Sequence, residues 1–211
     1  MLIRQNYYEE KRSEIKRLVL QIIDDLIETT DYYHEYLKTS SHELKEDILK
    51  NERYIDKNEE KIEQYILEII SLEHLDTMEI KWLFAMSRII RELERVGDQF
   101  INIITLCDTT DSKNIRPMIK AFFEYEKDMM RWLRVGIAEH NVVKLEKVIA
   151  HDKNVNDLNK ETYSHVVDLI NEHEKITESN VKMVMISRFL ERVGDHLVNV
   201  ARKYKEVIAV I

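Results

Sequence analysis

The 211-residue sequence predicts an all-α fold: two tandem three-helix bundles, six long helices in all, related by internal duplication. Three observations predict it. Apolar residues recur at spacings of three and four along almost the whole chain, which is the amphipathic-helix pattern. Three glycines and one proline are too few for the tight turns of a sandwich, a barrel or a βαβ sheet. Two sequence segments also return, in the same order, about a hundred residues later.

The first helix is expected from about Tyr7 to Leu37, with Ile15, Leu18, Ile22, Ile23 and Leu26 along one face. Tyr7, Tyr8, Tyr32, Tyr33 and Tyr36 are read as its partners for a crossing helix. Ser40 or Ser41 supplies an N-cap for a second helix that runs to about Leu72. Asp76 or Thr77 caps a third, which ends near Cys107. The polar stretch before Pro117 separates the halves, and Pro117 suits a first helical turn. The remaining helices are expected at 115–139, 141–173 and 178–209, started by Pro117's turn, Asn141 and Thr177.

The stronger repeat pairs RELERVGDQFINI (Arg91 to Ile103) with RFLERVGDHLVNV (Arg188 to Val200), an offset of 97. The weaker pairs ILKNERYIDKN (Ile48 to Asn58) with VIAHDKNVNDL (Val148 to Leu158), an offset of 100. A duplicated three-helix unit therefore spans residues 1–110 and again 111–211, with its boundary in the Thr109–Arg116 loop.

On a helix, Leu93, Val96, Phe100 and Ile104 form a core stripe, and Glu94 and Asp98 stack on its flank one turn apart. Asn102 continues that ridge. Leu190, Val193, Leu197 and Ala201 form the second stripe, with Glu191, Asp195 and Asn199 as its ridge. On the preceding helices, Glu52, Asp56, Glu59 and Glu63 fall on the edge of the Ile48/Ile55/Ile62 stripe. Asp152, Asn156, Asn159 and Tyr163 take those angles in the second copy. Carboxylates at a core edge need cations, hydrogen bonds or a metal, and an all-oxygen wall suits a hard cation. Gly97 and Gly194, inside helices, imply a close helix approach or room beside the acids. Arg95, Arg192, His151 and His196 turn away from the ridges.

The chain carries 32 basic and 40 acidic side chains, a net charge of −8 that argues against nucleic-acid binding. Single-cysteine usage (Cys107) fits a reducing compartment. No apolar run reaches membrane-spanning length, so a soluble cytoplasmic protein is expected. No Glu-x-x-His, HExxH, GxSxG or P-loop occurs, so an enzyme is not expected. A carboxylate-ligated metal-dependent hydrolase or oxidase is the alternative.

LERVGDQFINI and LERVGDHLVNVA resemble the signature of the PhoU family of phosphate-uptake regulators, over essentially the whole chain. Gln99 stands where the motif usually has His. The resemblance implies paired E(D)-x-x-x-D motifs that hold multinuclear iron or zinc clusters, with Mg or Mn also compatible with the oxygen ligands. Carried over by position, one site would use Glu52, Asp56, Glu94 and Asp98, and the other Asp152, Glu191 and Asp195, with Asn156 departing from the pattern. The implied role is regulatory, between a phosphate transporter (Pst-type ABC or sodium–phosphate cotransporter) and a membrane sensor histidine kinase. Membrane association would come only through these partners. The Tyr- and Ile-rich surface makes a homodimer plausible.

Overall fold

The structure is a computed structural model that describes residues 2–71, 74–107, 115–173 and 176–209. Its helices are α1 (Leu2–Thr39), α2 (His42–Ile70), α3 (Thr77–Cys107), α4 (Ile115–Ala138), α5 (Val142–His173) and α6 (Glu178–Ile208). They match the six expected segments. The expected end of the second helix at Leu72 lies outside the described residues, as do residues 109–114 of the expected inter-unit loop; Arg116 already belongs to α4.

The helix starts follow side-chain chemistry. Asp76 Oδ1 accepts from the Met78 and Glu79 amides at 2.7 and 2.8 Å, while Glu79 Oε2 accepts from the Asp76 amide at 2.8 Å, a reciprocal capping box. Asn141 Oδ1 caps α5 through the Lys144 amide at 3.1 Å, and Thr177 caps α6 through Asn180. Ser41 does not act as expected. It holds the N-cap backbone geometry of α2, but its side chain makes no capping bond. With so little glycine, ordinary residues take the left-handed turns. Ser40 closes α1 and His140 closes α4, both at φ 53°, at the same offset of 100 that relates α2 to α5.

Within each unit the middle helix packs on both others, α2 on α1 and α3, and α5 on α4 and α6. The units join through α3 against α6, the most extensive helix contact, and through α1 against α4. Both pairs are antiparallel, so the units are related by a pseudo-twofold axis. One contiguous core results, and it contains every stripe residue read from the repeat. Tyr33, Phe100 and Phe123 meet edge to face across the junction, with centroids 5.1–6.0 Å apart. The Tyr33 hydroxyl also donates to the Phe100 carbonyl. Along α1 and α4, Arg134 donates to Asp24 at 3.0 Å and Lys127 pairs with Asp31. Lys16 donates to the Ala138 carbonyl at 3.0 Å, and Tyr204 from α6 donates to the Ile137 carbonyl at 3.0 Å. The last turn of α4 is thus held from two sides.

Glu126 of α4 is the exception in this core. It is fully buried, and neither carboxyl oxygen has a hydrogen-bond partner. Burial pushes its carboxyl well above the usual carboxylate range. A buried group left unsatisfied costs about 1–3 kcal/mol. Glu126→Met should therefore raise stability by about that amount in chemical denaturation at pH 7.5. The gain should shrink as pH falls toward the ordinary carboxylate value, because the native carboxyl binds its proton before the unfolded one does.

Candidate functional site

The repeated acids sit where the two offsets place them. Gly97 of α3 faces Ile55 of α2, and Gly194 of α6 faces Val155 of α5. Those four residues obey the offsets 97 and 100, so the helix pairs α2/α3 and α5/α6 share one register.

In the first unit, Glu52, Asp56 and Glu59 of α2 face Glu94 and Asp98 of α3. Glu52, Asp56, Glu59 and Glu94 are half-buried, and Asp98 is exposed. None of the five forms an ion pair among the described residues. Their mutual influence is written in their protonation. Burial first, then neighbouring Asp98, Glu59 and Asp56, push the Glu94 carboxyl up to about 7. Burial, then Asp56 and Asp98, raise Glu52, and burial, then Asp98 and Glu60, raise Asp56. Glu59 is raised by burial and Glu63, against a lowering from Arg91. Glu59 was read as an edge residue but left out of the four-residue site; it belongs to the cluster. Glu63 does not, because Arg91 holds it at 3.4 Å.

The second unit has the same scaffold and a different charge balance. Arg188 pairs with Glu191 at 2.6 Å. Asn156 donates to Asp152 Oδ2 at 3.0 Å, the role it takes in place of a carboxylate. Burial and Asp195 raise Asp152, and burial and Glu191 raise Asp195, while Arg202 lowers both. Asp152 Oδ1 is buried without a partner. Tyr163, expected at the ridge edge, is 60% exposed.

Two ridge expectations change. Asn199 was read as continuing the second ridge, but its amide crosses to the other unit and donates to Glu92 Oε2 at 3.0 Å. His196, read as an ordinary histidine, stands 2.9 Å from the same oxygen. These bonds hold Glu92 below the ordinary carboxylate range although its burial opposes them. Motif spacing shows which helix face a residue occupies, but not which partner helix lies there. His151 stays off the ridge, half-buried against Trp132 and Tyr125.

Chemically the first ridge is a hard-oxygen donor set with uncompensated like charge, which fits a multivalent cation. As the side chains stand, no group of three or more His, Cys, Asp or Glu among the described residues is gathered tightly enough to hold a metal ion. Binding would require the half-exposed carboxylates to turn inward. The orphaned Asp152 oxygen shows a similar fit in the second unit, with fewer acids.

A PhoU domain family model matches residues 13–106 and 119–204, once per structural unit. The chain belongs to the PhoU family. A relative from Borreliella burgdorferi, named a phosphate-specific transport system accessory protein PhoU homolog, is 25% identical, covering 89% of this chain and 85% of its own length. The phosphate-specific transport system accessory protein PhoU homolog 1 from Methanothermobacter thermautotrophicus is 23% identical, covering 92% of this chain and 90% of its own length. The crystal structure of PhoU from Pseudomonas aeruginosa has the same fold, with a TM-score of 0.77 at 18% identity over 98% of both chains. That of the phosphate transport system regulatory protein PhoU from Streptococcus pneumoniae gives 0.81 at 15% identity, covering 95% of this chain and 96% of that one.

Two tests follow from the PhoU geometry. A carboxyl raised by folding binds its proton in the native state first, so it destabilises the fold as pH rises through the window from its ordinary value to its raised one. For Glu94 that window runs from 4.5 to about 7. In chelator, Glu94→Gln should melt higher than the wild type at pH 8, with the difference vanishing near pH 5. The glycines should also separate. A Cβ at Gly97 meets Ile55 at an ordinary 3.6 Å, whereas at Gly194 it meets Val155 at 3.1 Å. Gly97→Ala should therefore stabilise by up to about 1 kcal/mol through helix propensity. Gly194→Ala should gain less or lose stability in the same thermal melts.

Proposed function

We propose that this PhoU-family protein is a cytoplasmic, non-enzymatic regulator of phosphate transport and phosphate-starvation signalling. In this reading it binds metal through its acid ridges and acts between a phosphate transporter and a sensor histidine kinase. The names of the relatives support the first part, since both are called accessory proteins of a phosphate-specific transport system. No helix among the described residues is long and apolar enough to cross a membrane, which agrees with contact to the transporter through protein surfaces.

The observation that carries the metal part is the set of five facing carboxylates in the first unit, none of which has an ion-pair partner among the described residues. Glu52, Asp56, Glu94 and Asp98, with Glu59 beside them, would hold the ion, iron or zinc first and Mn or Mg as alternatives. Asp152, Glu191 and Asp195 would hold a second, weaker one, because Arg188 and Arg202 already supply positive charge there. A bound cation would offset the ridge repulsion and lock α2 against α3, giving partners a fixed surface. The exposed side chains of Phe84, Met78 and Ile80 on α3 offer apolar area for a partner or for a second copy in a homodimer.

The test replaces the chromosomal gene with the Glu94→Ala/Asp98→Ala variant and, in parallel, measures metal content of both purified proteins. The wild type should hold or take up iron, zinc or manganese, the double variant should lose most of it, and Glu191→Ala should lose less. Cells with the double variant should express phosphate-starvation genes when phosphate is ample. No metal in the wild type under any loading would refute the ridge reading. A full deletion with unchanged phosphate response would refute the regulatory one. A metal-dependent phosphatase or oxidase activity would favour an enzyme instead.

A further inference from the structure

On a chain of net charge −8, one groove runs against the average. It lies along the junction of α3 and α6, encloses about 410 Å³, and is lined by Arg88, Arg91 and Arg95 from one helix and Arg202 and Lys203 from the other. The three α3 arginines follow spacings of three and four, so they share one helix face. Two carboxylates also line it, and both are occupied. Glu92 takes Arg95 at 3.3 Å together with His196 and Asn199, and Glu206 takes Lys203 at 2.8 Å. Arg91 is turned to Glu63. Arg88 and Arg202 form no ion pair and no side-chain hydrogen bond among the described residues, and both are exposed. Arg202 is near enough to Asp152 and Asp195 to lower them, yet it pairs with neither.

The duplication does not account for this groove. Across the pseudo-twofold, the counterpart of Arg88 is Met185, and that of Glu92 is Phe189. Arg202 and Lys203 correspond to Thr105 and Leu106. Arg91 and Arg95 return as Arg188 and Arg192, so the opposite side of the seam keeps two of the five cations and lacks the three that complete the groove. At one end it opens, past Arg88 and Lys203, into a cavity of about 720 Å³ whose apolar side includes Tyr8, Trp82 and Phe84. Phe84 is 62% exposed, and the Arg12 guanidinium lies over the Trp82 ring, 5.3 Å from its centroid.

We propose that this groove binds a small ligand carrying two or more phosphoryl groups. Arg95 and Lys203 are matched by Glu92 and Glu206, and Arg91 by Glu63, which leaves the Arg88 and Arg202 guanidinium groups as two uncompensated charges, one for each phosphoryl group of a diphosphoryl ligand. Two unspent guanidinium forks are suited to phosphoryl oxygens, which they can meet in a bidentate fashion. Inorganic polyphosphates and nucleoside di- or triphosphates share that chemistry. The adjoining aromatic cavity offers a ring surface that only the nucleoside class would use.

No carboxylate of the first ridge lines the groove, and Arg202 also neighbours the second-unit acids, so the test is run in chelator, where metal binding to the ridges makes no contribution. Isothermal titration at about 0.15 M salt uses pyrophosphate, tripolyphosphate, ADP and ATP, with orthophosphate and sulfate as controls. At least one diphosphoryl or longer ligand should bind more tightly than about 1 mM, and both controls at least about ten-fold more weakly. Arg88→Gln and Arg202→Gln should each weaken binding about ten-fold, as expected for loss of one charged hydrogen-bond donor set, and Arg88→Gln should leave the melting temperature unchanged. Phe84→Ala should weaken ADP and ATP while sparing pyrophosphate if the ligand is a nucleotide, and should spare all four if it is inorganic. Absence of binding by all four, equal binding of sulfate or orthophosphate, or wild-type affinity in Arg88→Gln would each overturn the proposal.

Discussion

The packing of α3 against α6 is the contact on which the rest of this chain depends. A helix turns 100° per residue, so the LERVGD segment sends its side chains in three directions at once. Leu93, Val96 and Phe100 enter the core, Glu94 and Asp98 face α2, and Glu92 with Arg95 faces α6. Each direction has a different partner, and no residue can be moved to another without rotating all three faces. Fixing α3 against α6 therefore sets the acid ridge and the basic groove together. It also explains why hydrogen bonds to Glu92 from the opposite unit matter: they tie the register of one unit to that of the other.

The two units show how one scaffold can carry two electrostatic states. The first unit leaves five acids facing one another, and Glu52, Asp56, Glu59 and Glu94 respond by holding protons more tightly. The second answers the same geometry with Arg188, Arg202 and the Asn156 amide. Neither solution is a matter of backbone, since Gly97/Ile55 and Gly194/Val155 match across the repeat. The difference in charge lies in side chains at the helix edges, where such a change costs little packing.

The fold was legible because periodicity and glycine scarcity act locally. Ile48, Ile55 and Ile62 at sevenfold spacing allow little besides a buried helix stripe, and Asp76, Asn141 and Thr177 announce helix starts through hydrogen bonds to amides only two or three residues away. Ser41 failed as a cap because a serine's presence does not fix its rotamer. The ridge was legible as far as one helix determines it. Glu59 joined the cluster and Glu63 left it because of Arg91, a residue on another helix, and Asn199 left the second ridge because of Glu92 in another unit. Long-range pairings of that kind have no periodic trace. Glu126 is a different case, since Phe122, Phe123, Met129 and Met130 stand three and four residues to either side of it and place it on the buried stripe of α4, a periodic signal that was there to be read.

The clamp on the last turn of α4 has a consequence for how the molecule melts. The Ile137 carbonyl is served within the second unit by Tyr204 of α6, but the Ala138 carbonyl depends on Lys16, which the first unit contributes, and would be an unsatisfied helix-end acceptor in an isolated second unit. Together with the Tyr33–Phe100–Phe123 cluster, this makes the internal duplication invisible to thermodynamics. The two halves share one cooperative unit, so amide exchange deep in α4 reports on opening of the entire bundle and not on local release of its own half.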